Sequence, residues 1–348
     1  MQEVDKVYCS SSFLMHRTIF NNNKIFKLGV NQYIFKPKTE YIKIHNSIEL
    51  ENFLQERMYE LTADGKAALA LSGGIDSAIL ASFMPKGSKT YTFKCIVPGV
   101  EVTDESIQAK KYADYYGLQH EVIEIYWEDF LKYVDALMLH KGMPVHSIAI
   151  QIYKAALKVK KDGFDKLIFG ESVDIKYGGL SNLLSKDYTL GEYIDRFSYV
   201  MPYKVLKNYK LEMMPFVEMC KENGYVDVYK HVNKYFFLES MACYENACSL
   251  ANIKFCAPYS ETILAEPLDY EKIRRGDSKY LIREIFKRKY SGWDIPKKVP
   301  MPRPMNEWMQ NWKGPVRPEF WPHCTDNMTG DQKWMVWALE RFLNLIKA

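Results

Sequence analysis

The sequence has few cysteines, no long apolar run and little net charge. Its 7 cysteines are scattered over 348 residues and do not form the framework of a disulfide-rich secreted protein, so we expect a cytoplasmic location. No apolar run approaches the roughly 18 residues of a membrane-spanning helix, and residues 1–20 lack the pattern of a secretory signal. Lys and Arg total 47 against 43 Asp and Glu, which indicates neither a membrane nor a nucleic-acid partner.

The overall composition is that of a folded globular protein, with 47% hydrophobic and 26% charged residues. Short apolar runs at residues 33–35 and 41–44 predict strands, so we expect residues 1–50 to form a small N-terminal β appendage. Residues 51–348 are expected to form the main domain. A helix is predicted at its start, over residues 47–61, with Ser47 as the N-cap.

Strand and helix patterns alternate from residue 66 to about residue 180. Repeated β-α-β units predict a doubly wound parallel sheet covered by helices on both faces. Residues 181–348 lose the strand pattern and predict a helical C-terminal lobe. Strands are expected at residues 67–71, 89–96, 121–125 and 166–169; helices are expected at 75–83, 103–116 (capped by Thr103), 127–140, 147–160, 203–213, 235–250, 279–289 and 333–346.

The strongest chemical motif is the sequence Leu-Ser-Gly-Gly-Ile-Asp-Ser at residues 71–77, between a buried strand and a helix. Glycines let backbone N–H groups approach a phosphate closely, and a helix N-terminus favours negative charge. A carboxylate repels bare phosphate, so Asp76 is better suited to hold Mg²⁺. An ordinary Ser/Gly-rich turn is the alternative. The loop residues assigned to ATP or pyrophosphate binding are Leu71, Ser72, Gly73, Gly74, Asp76 and Ser77.

A second polar loop follows the strand predicted at residues 166–169. It reads Gly-Glu-Ser-Val-Asp at residues 170–174 and continues to Tyr-Gly-Gly at 177–179. Open α/β sheets bind ligands at the carboxyl ends of their strands. Two carboxylates three residues apart, Glu171 and Asp174, can serve one metal or one proton-transfer site, although a solvated acidic turn is the plainer interpretation.

Both loops resemble those of the PP-loop ATP pyrophosphatases, which have an adenine nucleotide alpha hydrolase-like fold and cleave ATP between its α and β phosphates. About residues 50–312 resemble the synthetase domain of the asparagine synthetase and β-lactam synthetase family, whose second loop reads Ser-Gly-Glu-Gly-Ala-Asp-Glu and ends in Phe-Gly-Gly. The resemblance implies that ATP and Mg²⁺ are cofactors. It also implies that Asp174 joins Asp76 as a metal ligand, that Glu171 is the acid/base, and that Phe93 and Gly170 contact ATP.

Two later stretches extend the resemblance. Residues 276–283 resemble the Gly-x-x-Lys-Tyr-x-x-Arg helix start of the family, which implies that Lys279 binds pyrophosphate and assists catalysis. Residues 295–298, followed by Pro304 and Trp308, resemble its Arg-x-Lys stretch before Pro-x-x-x-Trp. Aligning the proline and the tryptophan makes Lys298 the catalytic lysine.

The sequence also departs from the family. Met1 is followed by Gln2 rather than the nucleophilic cysteine of a glutaminase domain, and about 60 residues before the sheet are too few for that domain. We therefore expect ammonia, an amine or a sulfur donor as nucleophile, possibly delivered by a separate protein. Cys256 replaces an arginine of the family, which makes it a candidate for contacting substrate or carrying sulfur. Cys243 and Cys248 are expected in the helix core, with a three-cysteine iron–sulfur site as the alternative.

These motifs predict ATP-dependent adenylation of a carboxylate or amide-like carbonyl on a small molecule, followed by attack of a nitrogen nucleophile to form an amide. One alternative is a PP-loop sulfurtransferase that makes a thiocarbonyl or thioamide through Cys256 or a persulfide. A second is a non-catalytic protein that binds nucleotide.

Overall fold

Five parallel strands form the central sheet of the protein, for which a computed structural model describes residues 2–297 and 301–348. The strands are β1 (Glu3–Val4), β2 (Lys24–Ile25), β3 (Ile42–Ile44), β4 (Ala67–Ala70), β5 (Lys89–Cys95), β6 (Gln119–Ile125), β7 (Lys166–Ile168), β8 (Lys254–Cys256) and β9 (Thr262–Leu264). The sheet has the order β6-β5-β4-β7-β8, while β1 pairs with β2 and β3 with β9. From β4 the chain forms β5 and β6 toward one edge of the sheet. It then crosses back to form β7 on the other side of β4.

Helices cover both faces of this sheet, which confirms the predicted doubly wound α/β fold. They are α1 (Lys6–His16), α2 (Ser47–Thr62), α3 (Ile75–Ala81), α4 (Ser106–Tyr115), α5 (Trp127–Lys141), α6 (Ile148–Lys161), α7 (Val173–Lys176), α8 (Leu190–Phe197), α9 (Met214–Val217), α10 (Val228–His231), α11 (Phe237–Leu250), α12 (Tyr270–Arg274), α13 (Tyr280–Lys289), α14 (Met305–Met309) and α15 (Gly330–Leu345). Single turns of 3₁₀-helix lie at Pro202–Lys204 and Pro258–Glu261, and a π-helical turn lies at Val232–Phe236.

Two apolar cores lie on the two sides of the sheet. One is built from α1, α5, α6, α11 and α15 and contains Phe130, Ile152 and Trp334, all fully buried. The other is built from α2, α3, α4 and α13 and contains Leu54 and Ile282. Burying a large apolar side chain stabilises a fold by about 1.5–3 kcal/mol, so these two cores hold the sheet rigid beneath the loops at its edge.

The N-terminal fifty residues differ from the expected short strands. The predicted strand at residues 41–44 is confirmed as β3, but residues 33–35 form no strand, and α1 was not predicted. Residues 9–16 of α1 are all buried, in large part within the same core as the sheet. A helix buried on every side has no polar face, so its sequence lacks the periodicity that reveals most helices.

Other boundaries also differ from prediction. The N-cap of α2 is Asn46, whose side chain accepts hydrogen bonds from two backbone N–H groups, and not Ser47. Helix α4 begins at Ser106, so Thr103 is not its cap. The helix predicted at residues 203–213 is wrong, because the chain there pairs with residues 319–321, as in the hydrogen bond from the Lys207 N–H to the Glu319 carbonyl. Strand β8 was missed, since three residues carry no recognisable period.

In the part of the chain that the structure describes, no helix combines the length and the apolar character needed to cross a bilayer.

Candidate active site

The loops after β4 and β7 lie side by side where the direction of the sheet reverses. Strands β4 and β7 are hydrogen-bonded neighbours, with Leu69 opposite Ile168. The chain leaves β4 toward β5 and β6 but reaches β7 on the other side. A crevice at the carboxyl ends of the strands is expected at this switch point, and it is where doubly wound proteins bind ligands.

The loop after β4 is held in shape by its own hydroxyl groups. The Oγ atoms of Ser72 and Ser77 lie 3.0 Å apart, and Ser77 Oγ accepts a hydrogen bond from the Ser72 N–H at 2.9 Å. Ser72 Oγ accepts another from the Gly74 N–H at 3.1 Å. Leu71 is buried, and its N–H donates to the Tyr91 carbonyl at 2.8 Å. The loop is therefore a compact turn at the start of α3.

Gly170 brings the second loop against the first. A Cβ atom on Gly170 would lie 2.9 Å from the backbone nitrogen of Ser77 and 3.0 Å from the carbonyl carbon of Asp76. Real Cβ atoms do not approach backbone so closely, so only glycine fits. Gly170 would therefore contribute to the predicted ATP site by allowing the two loops to pack closely against each other.

Lys279 joins the two carboxylates that the sequence singled out. Its Nζ atom lies 2.6 Å from Oδ2 of Asp76 and 2.7 Å from Oδ1 of Asp174. Burial alone would lower the pKa of the Lys279 ammonium, but the charges of the two carboxylates outweigh burial and raise it. Lys279 therefore remains protonated, and it brings one positive charge to the loop after β4 (residues 71–77), the predicted phosphate loop.

Gly179 makes this ion-paired group possible. A Cβ atom there would overlap the carboxylate of Asp174 and the side chain of Lys279. Lys279 itself has a left-handed backbone conformation with φ of 55°, just before α13. Such a conformation costs about 1 kcal/mol or more for a residue other than glycine, and the ion pairs of its side chain offset that cost.

Glu171 lies at the other side of the second loop, against α11. Its Oε1 atom accepts a hydrogen bond from Ser240 Oγ at 3.1 Å, and Tyr244 also donates to the carboxylate. Burial raises the pKa of Glu171, and these hydrogen bonds oppose the rise without cancelling it. A carboxylate with a raised pKa is a better proton acceptor, which suits the predicted acid/base role.

Three further predicted residues lie in β5, in β8 and outside the described residues. Lys298 falls in the stretch 298–300 that the structure does not describe, so its role stays a prediction. Phe93 is half-buried in β5, the strand beside β4, and packs on the first apolar core. Cys256 is buried at the end of β8, opposite Ile168, and burial raises the pKa of its thiol.

The two cysteines of α11 lie in the protein core. Cys243 and Cys248 are buried in α11, and burial raises the pKa of each thiol. Among residues 2–297 and 301–348, no group of three or more His, Cys, Asp or Glu side chains is placed to hold a metal ion. The expectation that Cys243 and Cys248 are core residues is confirmed by their burial.

Sequence reasoning missed two residues beside the phosphate loop. Tyr259 is fully buried, and its hydroxyl donates to the Asp76 carbonyl at 3.1 Å. The Cβ of Glu105 would lie 3.3 Å from a Cβ placed on Gly73. Burial, followed by the charge of Asp104, raises the pKa of Glu105 to about 7. Neither residue was assigned to the site from the sequence, and only the folded chain brings them to the loop.

The fold is a doubly wound α/β sheet with two polar loops side by side at the point where its strand order reverses. The sequence profile of the asparagine synthase family matches residues 49–244, more than half of the chain. The protein belongs to the asparagine synthase family. It is accordingly an ATP-using synthetase-type enzyme with ATP-dependent adenylation chemistry. A comparison with curated proteins finds no significant match.

Three solved structures show weaker likeness. NMN synthetase from Francisella tularensis is 14% identical, with a TM-score of 0.29 over 74% of this chain and 99% of that one. NH₃-dependent NAD synthetase from Campylobacter jejuni is 13% identical, with a TM-score of 0.25 over 73% and 97%. The U34-tRNA thiolase NcsA from Methanococcus maripaludis is 15% identical, with a TM-score of 0.25 over 74% and 88%.

Proposed function

We propose that the protein adenylates a carboxylate or amide-like carbonyl of a small molecule, which a nitrogen nucleophile then attacks; from a carboxylate the product is an amide. The observation that carries the proposal is the convergence of Asp76, Asp174 and Lys279 at the phosphate loop. In the first step a substrate oxygen attacks the α-phosphorus of ATP, the α–β anhydride bond breaks and pyrophosphate leaves. In the second step the nitrogen attacks the activated carbonyl carbon, the bond from that carbon to AMP oxygen breaks, and AMP leaves.

The residues at the loop fit the magnesium ion that this chemistry needs. Asp76 and Asp174 offer hard oxygen donors on one group of side chains, and Mg²⁺ is typically held by one or two carboxylates together with substrate phosphates. When bound, Mg²⁺ supplies charge neutralisation for the leaving pyrophosphate. Lys279 adds a positive charge at the same place, and the sequence assigns a second one to Lys298.

Glu171 is proposed to accept the proton that the nitrogen nucleophile loses during attack. It lies three residues before Asp174 but faces α11, where Ser240 and Tyr244 fix its carboxylate. Its raised pKa favours proton uptake at this position. The loop after β7 would thus serve proton transfer through Glu171 and, together with Asp76 of the loop after β4, the metal through Asp174.

The alternative of sulfur transfer receives less support from the site. A sulfur carrier works as a thiolate, and burial raises the pKa of the Cys256 thiol. Its Sγ atom points toward the Lys254 carbonyl at 3.8 Å within β8. A Cys256→Ser variant that keeps full product formation would reject Cys256 as the carrier, whereas loss of thiolated product would support it.

The proposed function is tested by incubating the protein with ATP, Mg²⁺, ammonia and a panel of carboxylic acids. Acid-dependent release of pyrophosphate, with AMP and an amide found by mass spectrometry, is the expected result. Gly74→Val, which places a bulky side chain beside Ser72 Oγ, should abolish pyrophosphate release. ATP binding without pyrophosphate release for any acid would favour the non-catalytic alternative.

A further inference from the structure

A buried set of three hydroxyl groups joins the loop after β4 to the loop after β7. The Tyr259 hydroxyl donates to the Asp76 carbonyl at 3.1 Å. The Thr262 hydroxyl donates to the carbonyl of Tyr259 at 2.8 Å and lies 2.6 Å from the hydroxyl oxygen of Tyr177. All three residues are at most 2% exposed. We call Tyr177, Thr262 and Tyr259 the hydroxyl network.

The direction of each hydrogen bond in this network follows from the protons available. A hydroxyl group carries a single proton, and Thr262 donates its proton to the Tyr259 carbonyl. The Tyr177 hydroxyl must therefore be the donor to Thr262. Every hydroxyl proton of the network thus has an acceptor inside the protein. Buried polar networks that are fully satisfied make their surroundings rigid.

The hydroxyl network connects the backbone at the two carboxylates that we assign to Mg²⁺. At one end, Tyr259 is bonded to the carbonyl of Asp76 itself. At the other end, Tyr177 lies three residues after Asp174, and its N–H donates to the Val173 carbonyl at 2.9 Å. The path between the two carboxylate residues therefore consists of short hydrogen bonds and short stretches of backbone.

The centre of the network comes from a different part of the chain than the two loops. Tyr259 lies in the 3₁₀ turn after β8, and Thr262 begins β9. Strand β9 pairs with β3, where Ile42 is opposite Thr262. The N-terminal fifty residues thus help to fix the threonine at the centre of the network.

A magnesium site built from two loops depends on how precisely those loops are spaced. Mg²⁺ requires a nearly ideal octahedron of oxygen atoms at about 2.0–2.1 Å. Lys279 attracts both carboxylates by charge, and attraction of this kind depends only weakly on direction. Hydrogen bonds are directional, so the hydroxyl network can set the spacing more precisely than the ion pairs do.

We propose that Tyr259 is a positioning residue for the Mg²⁺ that accompanies ATP, because its hydroxyl, held in the hydroxyl network, fixes Asp76 relative to Asp174. This inference rests on the proposed function, which assigns the two carboxylates to the metal. Partners that orient metal ligands from outside the coordination sphere typically change metal affinity by about 10–100-fold. Tyr259 reaches the backbone of Asp76, so we expect the lower end of that range.

The test is metal binding by Tyr259→Phe, measured without turnover. The full chain is titrated with Mg²⁺ at saturating α,β-methylene-ATP, whose α–β bridge is not cleaved, and the rise in Tm is followed. The Mg²⁺ concentration at the half-maximal rise should increase about 10-fold relative to the wild type. An unchanged concentration would overturn the proposal.

Tyr290→Phe is the matched control. Tyr290 is also fully buried, and its hydroxyl donates at 2.7 Å to the Ala78 carbonyl, two residues after Asp76 in α3. Both substitutions remove one buried hydroxyl from a carbonyl of the same helix, so both should lower Tm in the absence of Mg²⁺. Only Tyr259→Phe should change the Mg²⁺ requirement. An equal change in Tyr290→Phe would show that Tyr259 is merely structural.

Two further measurements keep the test decisive if Tyr259→Phe folds poorly. Tyr177→Phe removes the hydroxyl at the other end of the network and should raise the Mg²⁺ requirement in the same direction. Ca²⁺ accepts more flexible coordination than Mg²⁺, so its half-maximal concentration should change less than that of Mg²⁺ in either variant. Equal changes for the two ions, or no change in Tyr177→Phe, would contradict a role in metal geometry.

Pyrophosphate release measured on the same proteins separates this inference from the proposed function. Mg²⁺ binding that weakens in Tyr259→Phe, without pyrophosphate release from the wild type for any acid, would keep the positioning role and reject adenylation. Pyrophosphate release with the same Mg²⁺ requirement in the wild type and in Tyr259→Phe would keep adenylation and reject the positioning role.

Discussion

The Nζ atom of Lys279 lies 2.6 Å from Oδ2 of Asp76, 203 residues earlier in the chain. Asp76 belongs to the phosphate loop after β4, and Lys279 stands at the start of α13. The ion pair therefore joins this loop to a residue from the C-terminal part of the chain. Packing of α13 against α2 and α3 fixes the position of this lysine, so the fold of the C-terminal part and the electrostatics of the loop are coupled.

The first prediction concerns Lys279→Met. Loss of an electrostatic partner at a centre of developing charge typically costs about 10²–10³ in rate, and we expect that loss in pyrophosphate release. The free energy of unfolding should also fall by about 1–3 kcal/mol, less than for a fully buried pair because Asp174 is partly exposed. Lys272→Met, at an exposed lysine of α12, is the control. Equal rates for the two variants would contradict the assignment.

The second prediction concerns Gly179→Ala. The added methyl group would overlap the Asp174 carboxylate and the Lys279 side chain, so the ion-paired group must separate. We expect pyrophosphate release to fall as far as in Lys279→Met. Gly191→Ala is a matched control, because a Cβ there meets no atom within 4 Å and the residue lies in α8. Steady-state rates of both variants, with folding checked by circular dichroism, decide the outcome.

The third prediction concerns the metal. Asp76→Asn and Asp174→Asn each remove one negative oxygen donor, so each should raise the Mg²⁺ concentration needed for half-maximal pyrophosphate release. Asp165→Asn serves as control, since Asp165 is exposed and pairs with Lys160. A titration with Mg²⁺ at saturating ATP gives the three values. If neither site variant differs from Asp165→Asn, the two-carboxylate metal site is wrong.

The fourth prediction is a pH dependence due to Glu171. Burial raises its pKa above that of an ordinary glutamate, and the proton acceptor must be ionised to act. Amide formation should therefore fall at acidic pH, with a midpoint above the usual glutamate range, and recover as the pH rises. For stability the sign is opposite, because a raised pKa in the folded state means that the contribution of Glu171 declines as the pH rises through that pKa.

Glu171→Gln separates this effect from general acid denaturation. The variant should form amide slowly at every pH and lose the acidic limb of the profile, while ATP-dependent pyrophosphate release changes less. Its unfolding transition should move to a relatively more stable value at high pH, where the wild-type carboxylate is ionised and buried. An acidic limb that persists in Glu171→Gln would assign the titration to another group.

The sequence alone predicted four of the five strands of the central sheet and both site loops, because short buried apolar runs and Gly-rich turns follow from local chemistry. It also paired Asp76 with Asp174 and assigned Lys279, but only through family resemblance. Helix α1 was missed because it is buried all round, and Tyr259 and Glu105 reach the phosphate loop only through tertiary packing.

The fifth prediction concerns Lys298, which is assigned by sequence and lies outside the described residues. Attack on the acyl-adenylate builds negative charge on the carbonyl oxygen, and a lysine beside it stabilises the transition state more than the ground state. The spacing to Pro304 and Trp308 selects Lys298 rather than its neighbour. Lys298→Ala should keep ATP binding but lose product formation by about 10²–10³, whereas Lys297→Ala, at an exposed lysine, should have little effect. Single-turnover assays of both variants are the measurement, and a larger loss in Lys297→Ala would show that the alignment of this segment is shifted by one residue.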